Sequence, residues 1–571
     1  MGAKHTVLSG LICVVSVACA SAQPQAERGA SMREFVERHE ADREALKRYW
    51  TLESSARRAE RLETFDDETL RELERVDFDA LDRAGKVDWI LLRHELESDR
   101  ARIEIERRKR AELAPLVPFL DRVLDLVEVT QRLEPVDPER AAEELDALVG
   151  VVADARKATG ELKDVARSLA VRASSTVREL DTALADWFRE RDRYDPQFSW
   201  WAAKPKEALS EALSDYAKHL REDVAKLAAD DDETIVGDPI GREALLAELQ
   251  RAMIPYSPEE LLEVADREFA WCEREMLAAS RAMGFGDDWR AALERVKQDH
   301  VGPGEQPALI RELAAEAIDF IESRELLTIP ALAKETWRME MMTPERQLVN
   351  PFFTGGEVIS VSYPTADMEH DKKVMSLRGN NRHFARATVH HELIPGHHLQ
   401  QFMTRRFQPH RRGFATPFWT EGWALWWEML LWNRGFATTP EDKIGMLFWR
   451  SHRCARIRFS LSFHLGLWTP EQCIDFLVER VGHERENAAG EVRRSFNGSY
   501  GPLYQIAYML GALQLRELHR ELVDSGRFGE REFHDAVLEN GNMPIEMVRA
   551  SLSDVSLGRD FRSSWRFYAL E

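Results

Sequence analysis

From Arg33 to about Ile329 apolar residues recur at intervals of three and four, with acids and arginines between them, which is the period of amphipathic helices. The fullest helix start is Ser257-Pro258-Glu259-Glu260. Ser serves as N-cap, Pro takes the first helical position, and Glu260 stands where a capping-box partner belongs. Behind it Leu261, Leu262, Ala265, Phe269, Cys272, Met276 and Ala279 fall on one side. Similar starts stand at Asp137-Pro138, Thr343-Pro344, Thr439-Pro440 and Thr469-Pro470. They predict many medium helices with short connections, and no fixed period points to a solenoid. Asp230-Asp231-Asp232-Glu233 and Gly302-Pro303-Gly304 read as surface loops. One stretch reads as strand, Glu357 to Tyr363, bounded by Gly355-Gly356 and Pro364. Arg378-Gly379-Asn380-Asn381-Arg382 reads as a loop whose basic residues are available to a substrate carboxylate. The expected fold is mainly α with a small β element. No linker splits the chain, so a helical N-terminal half (23–340) and a C-terminal half (341–571) are expected to form two lobes around a cleft.

The start of the chain changes this picture. Lys4 and His5 precede an apolar run from Val7 to Ala20, and Ala20-Ser21-Ala22 offers a cleavage site, so residues 1–22 read as a signal peptide. The run is short for a membrane span. Export to the periplasm or beyond is expected. Cys19 suggests a lipoprotein, but Ser16 stands where a lipidation box prefers Leu. Three cysteines remain after cleavage, Cys272, Cys454 and Cys473, with no C-x-x-C. That is no disulfide framework, and any metal must rest on histidine and carboxylate. The net charge of −22 argues against nucleic acid and anionic membrane surfaces as partners.

Candidate chemistry concentrates in His390-His391-Glu392-Leu393-Ile394-Pro395-Gly396-His397-His398, which holds four of the chain's 17 histidines. Uniform scatter would place roughly 0.3 in such a window. A His-Glu pair followed by more histidine is the skeleton of a zinc hydrolase helix: imidazoles bind the metal, and the Glu handles the proton of a water. The usual second His lies at i+4, but here that position is Pro395, and His397 lies at i+6, about 240° round an ideal helix. Pro395 cannot donate to the His391 carbonyl, and Gly396 tolerates unusual dihedrals. A kink there would swing His397 back beside His391. His398, at i+7, is the alternative ligand if the helix runs straight.

A second segment, Thr420-Glu421-Gly422-Trp423-Ala424-Leu425-Trp426-Trp427-Glu428, places Glu421 and Glu428 on one helical face in very apolar surroundings. A buried carboxylate needs a partner or a metal. Trp419, Trp423 and Trp426 share another face and read as a core stripe.

H-E-x-x-P-G-H followed by T-E-G-W-A-L resembles the DUF885 family of zincin-like proteins, allied to helical gluzincins such as peptidyl-dipeptidase A and carboxypeptidase Taq. The resemblance is strong over residues 350–515. It implies a two-lobed zincin-like fold with residues 341–571 as catalytic lobe, and a zinc (Zn2+) peptidase acting on peptides. An edge strand before the metal helix would hold an extended substrate. Twenty-three residues separate His397 from Glu421, a spacing like that in peptidyl-dipeptidase A, so His391, His397 and Glu421 are the implied ligands with one position left for water. Glu392 is the implied base, and Glu428 would either orient a ligand histidine or pair structurally with an arginine. Tyr508-x-x-Gly511, preceded by Glu491-Val492-Arg493-Arg494, resembles a late family signature. Tyr508 is then the oxyanion donor, with Tyr504 as rival. One departure is Ser460-Leu461-Ser462-Phe463-His464, where the family reads roughly D-T-G-L-H; any pairing through that acid is absent. Two other readings compete: a helical binding protein without turnover, and a zinc amidase acting on a non-peptide amide.

Overall fold

Capping chemistry decides where the helices start. Ser257 Oγ accepts the Glu260 N–H (3.2 Å), and Glu260 Oε2 accepts the Ser257 N–H (2.7 Å). Such a cap stabilises a helix by about 1 kcal/mol. The helix Pro258–Ala282 buries Leu261, Ala265, Phe269, Cys272, Met276 and Ala279, with Val264 on the inner face and Leu262 only half-buried. Helices Pro138–Glu161, Pro440–His464 and Pro470–Phe476 begin at the other predicted starts. Thr343-Pro344 opens only the four-residue helix Pro344–Gln347.

The architecture comes from a computed structural model that describes residues 32–229, 231, 234–347, 353–366, 368–498 and 500–570. The expected signal peptide lies outside the described residues, as do Asp230, Asp232 and Glu233 of the acidic run. The protein is mainly helical with one two-stranded sheet among the described residues. None of its described helices is long and apolar enough to cross a membrane. The main core draws apolar residues from both sides of residue 340. A second core, from Leu113 to Leu220, closes a bundle that includes Pro138–Glu161, Arg167–Arg189 and Pro196–His219.

The predicted strand is shorter than its apolar run. It is β2, Val358–Val361, and it pairs in parallel with β1, Arg338–Met341, in the register Arg338↔Val358 to Met341↔Val361. The sequence reading did not anticipate β1. Ile359 and Val361 pack on Ala385 and Val389, so the sheet lies beside the helix that carries His391. On its other side β2 meets Thr354 in an antiparallel bridge with Ser360. Part of the backbone expected to face substrate is therefore paired within the chain.

The stretch 378–382 corrects the loop reading. Helix His370–Gly379 runs to Gly379, and helix Arg382–Glu392 begins after Asn381, whose side chain accepts the N–H groups of His383 and Phe384. Arg378 pairs with Glu294 and Glu484, and Arg382 with Glu312. Those guanidinium groups are committed to internal acids.

Two close approaches position the site. Helix Arg382–Glu392 stops before Pro395, and the chain resumes helix at His397–Thr404. Across the break the Gly396 N–H donates to His390 O (3.0 Å) and the Leu399 N–H to Leu393 O (3.2 Å). A Cβ on Gly396 would fall 1.7 Å from His391 O, so only glycine fits. The second approach joins helices Pro417–Asn433 and Tyr504–His519. There a Cβ on Gly422 would lie 2.5 Å from Gly511 Cα, and one on Gly511 2.1 Å from Phe418 O. The glycines of T-E-G-W and Y-x-x-G are one contact, and it sets Glu421 beside Tyr504. The tryptophan stripe is core: Trp419 and Trp423 are fully buried, and Trp423 Nε1 donates to Pro395 O (2.8 Å), tying this helix to the break.

Candidate metal centre

The break brings His397 to His391. Their rings lie 4.9 Å apart, nearly perpendicular. Glu421 Oε2 sits 3.2 Å from His397 Nε2 and 3.7 Å from His391 Nε2. One ligand atom from each of these three residues falls within 4.8 Å of the other two. Zinc bonds of about 2.0–2.1 Å in a tetrahedron separate ligand atoms by about 3.3 Å, so the spacing suits such an ion. Glu421 Oε2 is also buried without a hydrogen-bond partner, an acceptor that a cation would satisfy. His390 and His398 stay outside the cluster: His390 Nδ1 meets Arg386 O (2.8 Å), and His398 Nε2 meets Ala333 O (2.8 Å).

Neighbouring groups fix the orientation of each candidate ligand. His391 Nδ1 lies 2.6 Å from Glu428 Oε1, which leaves Nε2 facing Glu421 and His397. The Tyr504 hydroxyl donates to Glu421 Oε1 and leaves Oε2 free. Burial would raise the Glu421 carboxyl, but His397 and His391 outweigh it and hold it well below the usual range. Burial would likewise lower His391, but the neighbouring carboxylates of Glu421 and Glu428 push it up to about 9. Glu392 behaves differently. Burial raises its pKa, only partly offset by His391 and His397. It lines the same cavity of about 280 Å³ as His391, His397, Glu421 and Tyr508. The Tyr508 ring lies nearly parallel to that of His391 at 6.3 Å, and burial raises its hydroxyl pKa.

A model of the DUF885 family, bacterial proteins of unknown function, matches residues 39–552. The chain belongs to the DUF885 family. It is similar in fold to a chain described as a "putative lipoprotein of unknown function from Shewanella oneidensis", with 17% identity and a TM-score of 0.67 over 91% of this chain and 99% of that one. A "putative lipoprotein from Colwellia psychrerythraea" is also 17% identical, with a TM-score of 0.49 over 73% of this chain and 76% of that one. No curated protein matches the chain.

In this DUF885 protein the fold brings the three candidate ligands, Glu392, Glu428 and both tyrosines together, and surrounds them with guanidinium groups to which the sequence reading gave no role. Arg453, Arg456 and Arg494 line the same cavity. Arg456 Nε donates to Glu491 Oε1 (2.6 Å), and Arg494 Nε lies 2.9 Å from Glu491 Oε2. Their signal was available. Arg453 and Arg456 interrupt the apolar helix Pro440–His464, whose residues from Ile444 to His464 are nearly all buried. Charges in such a segment ask for a reason just as Glu421 does. His464, which matches the family motif, is buried near Phe463 and Phe496 with neither ring nitrogen hydrogen-bonded.

Proposed function

We propose that this DUF885 protein is an exported zinc-dependent peptidase of two-lobed, zincin-like build that hydrolyses short unfolded peptides. The observation that carries the reading is the convergence of His391, His397 and Glu421 beside the buried acid Glu392 in one cavity. His391 Nε2, His397 Nε2 and Glu421 Oε2 are the atoms that would hold the ion. Bound zinc would polarise the scissile carbonyl and make a water acidic enough to lose a proton near neutral pH.

The chain's own residues do the rest. Glu392, with a pKa above the ordinary carboxylate range, takes the proton of the attacking water and returns it to the leaving amine. Glu428 accepts from His391 Nδ1 and so turns Nε2 towards His397 and Glu421, where a metal would take the place of its proton. Tyr508, which lines the same cavity, would donate its hydroxyl to the developing oxyanion, a role worth a few kcal/mol. Export is supported by the apolar run at Val7–Ala20 and by likeness to a chain described as a lipoprotein.

The test is mass spectrometry of a peptide mixture incubated with zinc-loaded protein. Glu392→Gln should keep its zinc and lose about 10²–10⁴-fold in hydrolysis. Comparable turnover by a zinc-replete Glu392→Gln protein would overturn the mechanism. No turnover by the wild type on a broad library would favour a binding protein.

A further inference from the structure

Arg453 is the residue in the cavity whose chemistry is least accounted for. It is 5% exposed. Its nearest acid, Glu428, is 3.7 Å away and already committed to His391 at 2.6 Å. Arg453 Nε is buried without a hydrogen-bond partner. The guanidinium otherwise rests on ring faces, 4.7 Å from the Tyr508 centroid and 5.3 Å from that of Trp449. Arg456 adds a second buried cation over Tyr508, at 4.3 Å, and its Nη1 also lacks a partner. Arg494 is the third guanidinium on this wall. Four acids stand near the three: Glu491, shared between Arg456 and Arg494, Glu428, and Glu392 and Glu421, which line the same cavity. None of these acids bonds Arg453 Nε or Arg456 Nη1, and buried guanidinium N–H groups left without acceptors call for one.

The wall stands in the same cavity as the candidate ligands and Glu392, which fixes what the anion is attached to. A planar guanidinium matches a carboxylate through two parallel hydrogen bonds. We propose that Arg453, flanked by Arg456 and Arg494, receives a carboxylate that the substrate carries next to the scissile bond. The reading rests on the hydrolase assignment and sharpens it: the enzyme cuts near a free carboxyl end or beside an acidic side chain, and is no general endopeptidase. Arg453 is thereby a specificity residue.

The experiment uses zinc-loaded protein and acetylated tetrapeptide libraries made as free acids and as C-terminal amides, each with and without Asp and Glu. Cleavage preferring free acids by ~10–100-fold in kcat/KM places the carboxylate at the main-chain end. Cleavage of amides only where Asp or Glu adjoins the cut bond places it on a side chain. Either supports the proposal, provided Arg453→Gln brings the preference down towards one and Arg453→Lys keeps part of it. Equal cleavage of all libraries by the wild type overturns it and leaves the peptidase reading intact. A role confined to steadying Glu428 would slow acids and amides alike, with the ratio unchanged, and overturns it too. If nothing is cleaved, the hydrolase reading fails, and retention of the same libraries by native mass spectrometry decides. Selective retention of carboxylate-bearing peptides, lost in Arg453→Gln, supports the site; unselective retention or none overturns it. Should Arg453→Gln fail to fold, the wild-type and Arg453→Lys ratios settle the matter.

Discussion

Tyr504 and Tyr508 stand one turn apart on the same helix, yet they stand in different surroundings. Tyr504 is occupied with Glu421 Oε1, and Tyr508 faces the cavity with its ring against His391. Tyr504→Phe should therefore act on the ion, lowering zinc affinity about 10–100-fold as loss of a group orienting a ligand does. Tyr508→Phe should leave zinc in place and lower kcat about 10²–10³-fold. Zinc titration with a competing chelator separates the two, and equal zinc affinities in both variants would remove the distinction. The rival assignments in the sequence could not be resolved because both tyrosines satisfy the same spacing; only the position of Glu421 across the Gly422–Gly511 contact separates them. His398 follows the same logic. Its ring is spent on Ala333 O, so His398→Ala should keep full zinc stoichiometry, while His397→Ala loses it.

The Pro-Gly insertion was legible because both residues have fixed backbone consequences, whatever surrounds them. Pro395 ends the helix by lacking a donor, and Gly396 fits where the His391 carbonyl leaves no room for a side chain. Gly396→Ala should force that carbonyl aside, costing a few kcal/mol and dispersing the ligands. Gly511→Ala should part the two crossing helices and draw Glu421 away from the histidines. Denaturant midpoints and zinc content measure both; a stable, zinc-replete Gly511→Ala protein would contradict the role given to the contact. Other elements hid because their determinants are distant in sequence. β1 alternates weakly between exposed and half-buried positions and exists because β2 pairs with it. The 378–382 stretch looked like a loop through its Gly-Asn-Asn, yet Asn380 closes one helix and Asn381 opens the next. Its arginines looked available because their acids lie 70 to 106 residues away. The cavity arginines were missed likewise: a periodic reading shows a charge in an apolar helix without showing what it faces.

The molecule as a whole buries several histidines away from the candidate metal ligands, and their burial makes its stability respond to acid. Burial lowers His39, His464 and His534 to about 4 and His483 to about 3. In the unfolded chain each regains a pKa near 6.5. Between these values the unfolded state binds protons that the folded state refuses, so stability falls as pH drops below about 6.5 and levels only near the folded values. Each fully coupled histidine contributes a slope of up to about 1.4 kcal/mol per pH unit. His464 isolates one such contribution, because both its ring nitrogens lack partners and it does not line the cavity of the candidate ligands. His464→Leu should therefore be neutral or mildly stabilising at pH 5, where the wild type resists a proton, and should flatten the pH dependence by about one histidine's share. Urea unfolding at pH 7, 6 and 5 measures this as the difference in unfolding free energy between the two proteins. Parallel curves at all three values would mean that His464 is protonated in the folded protein, and that an anion or a water answers it inside the core.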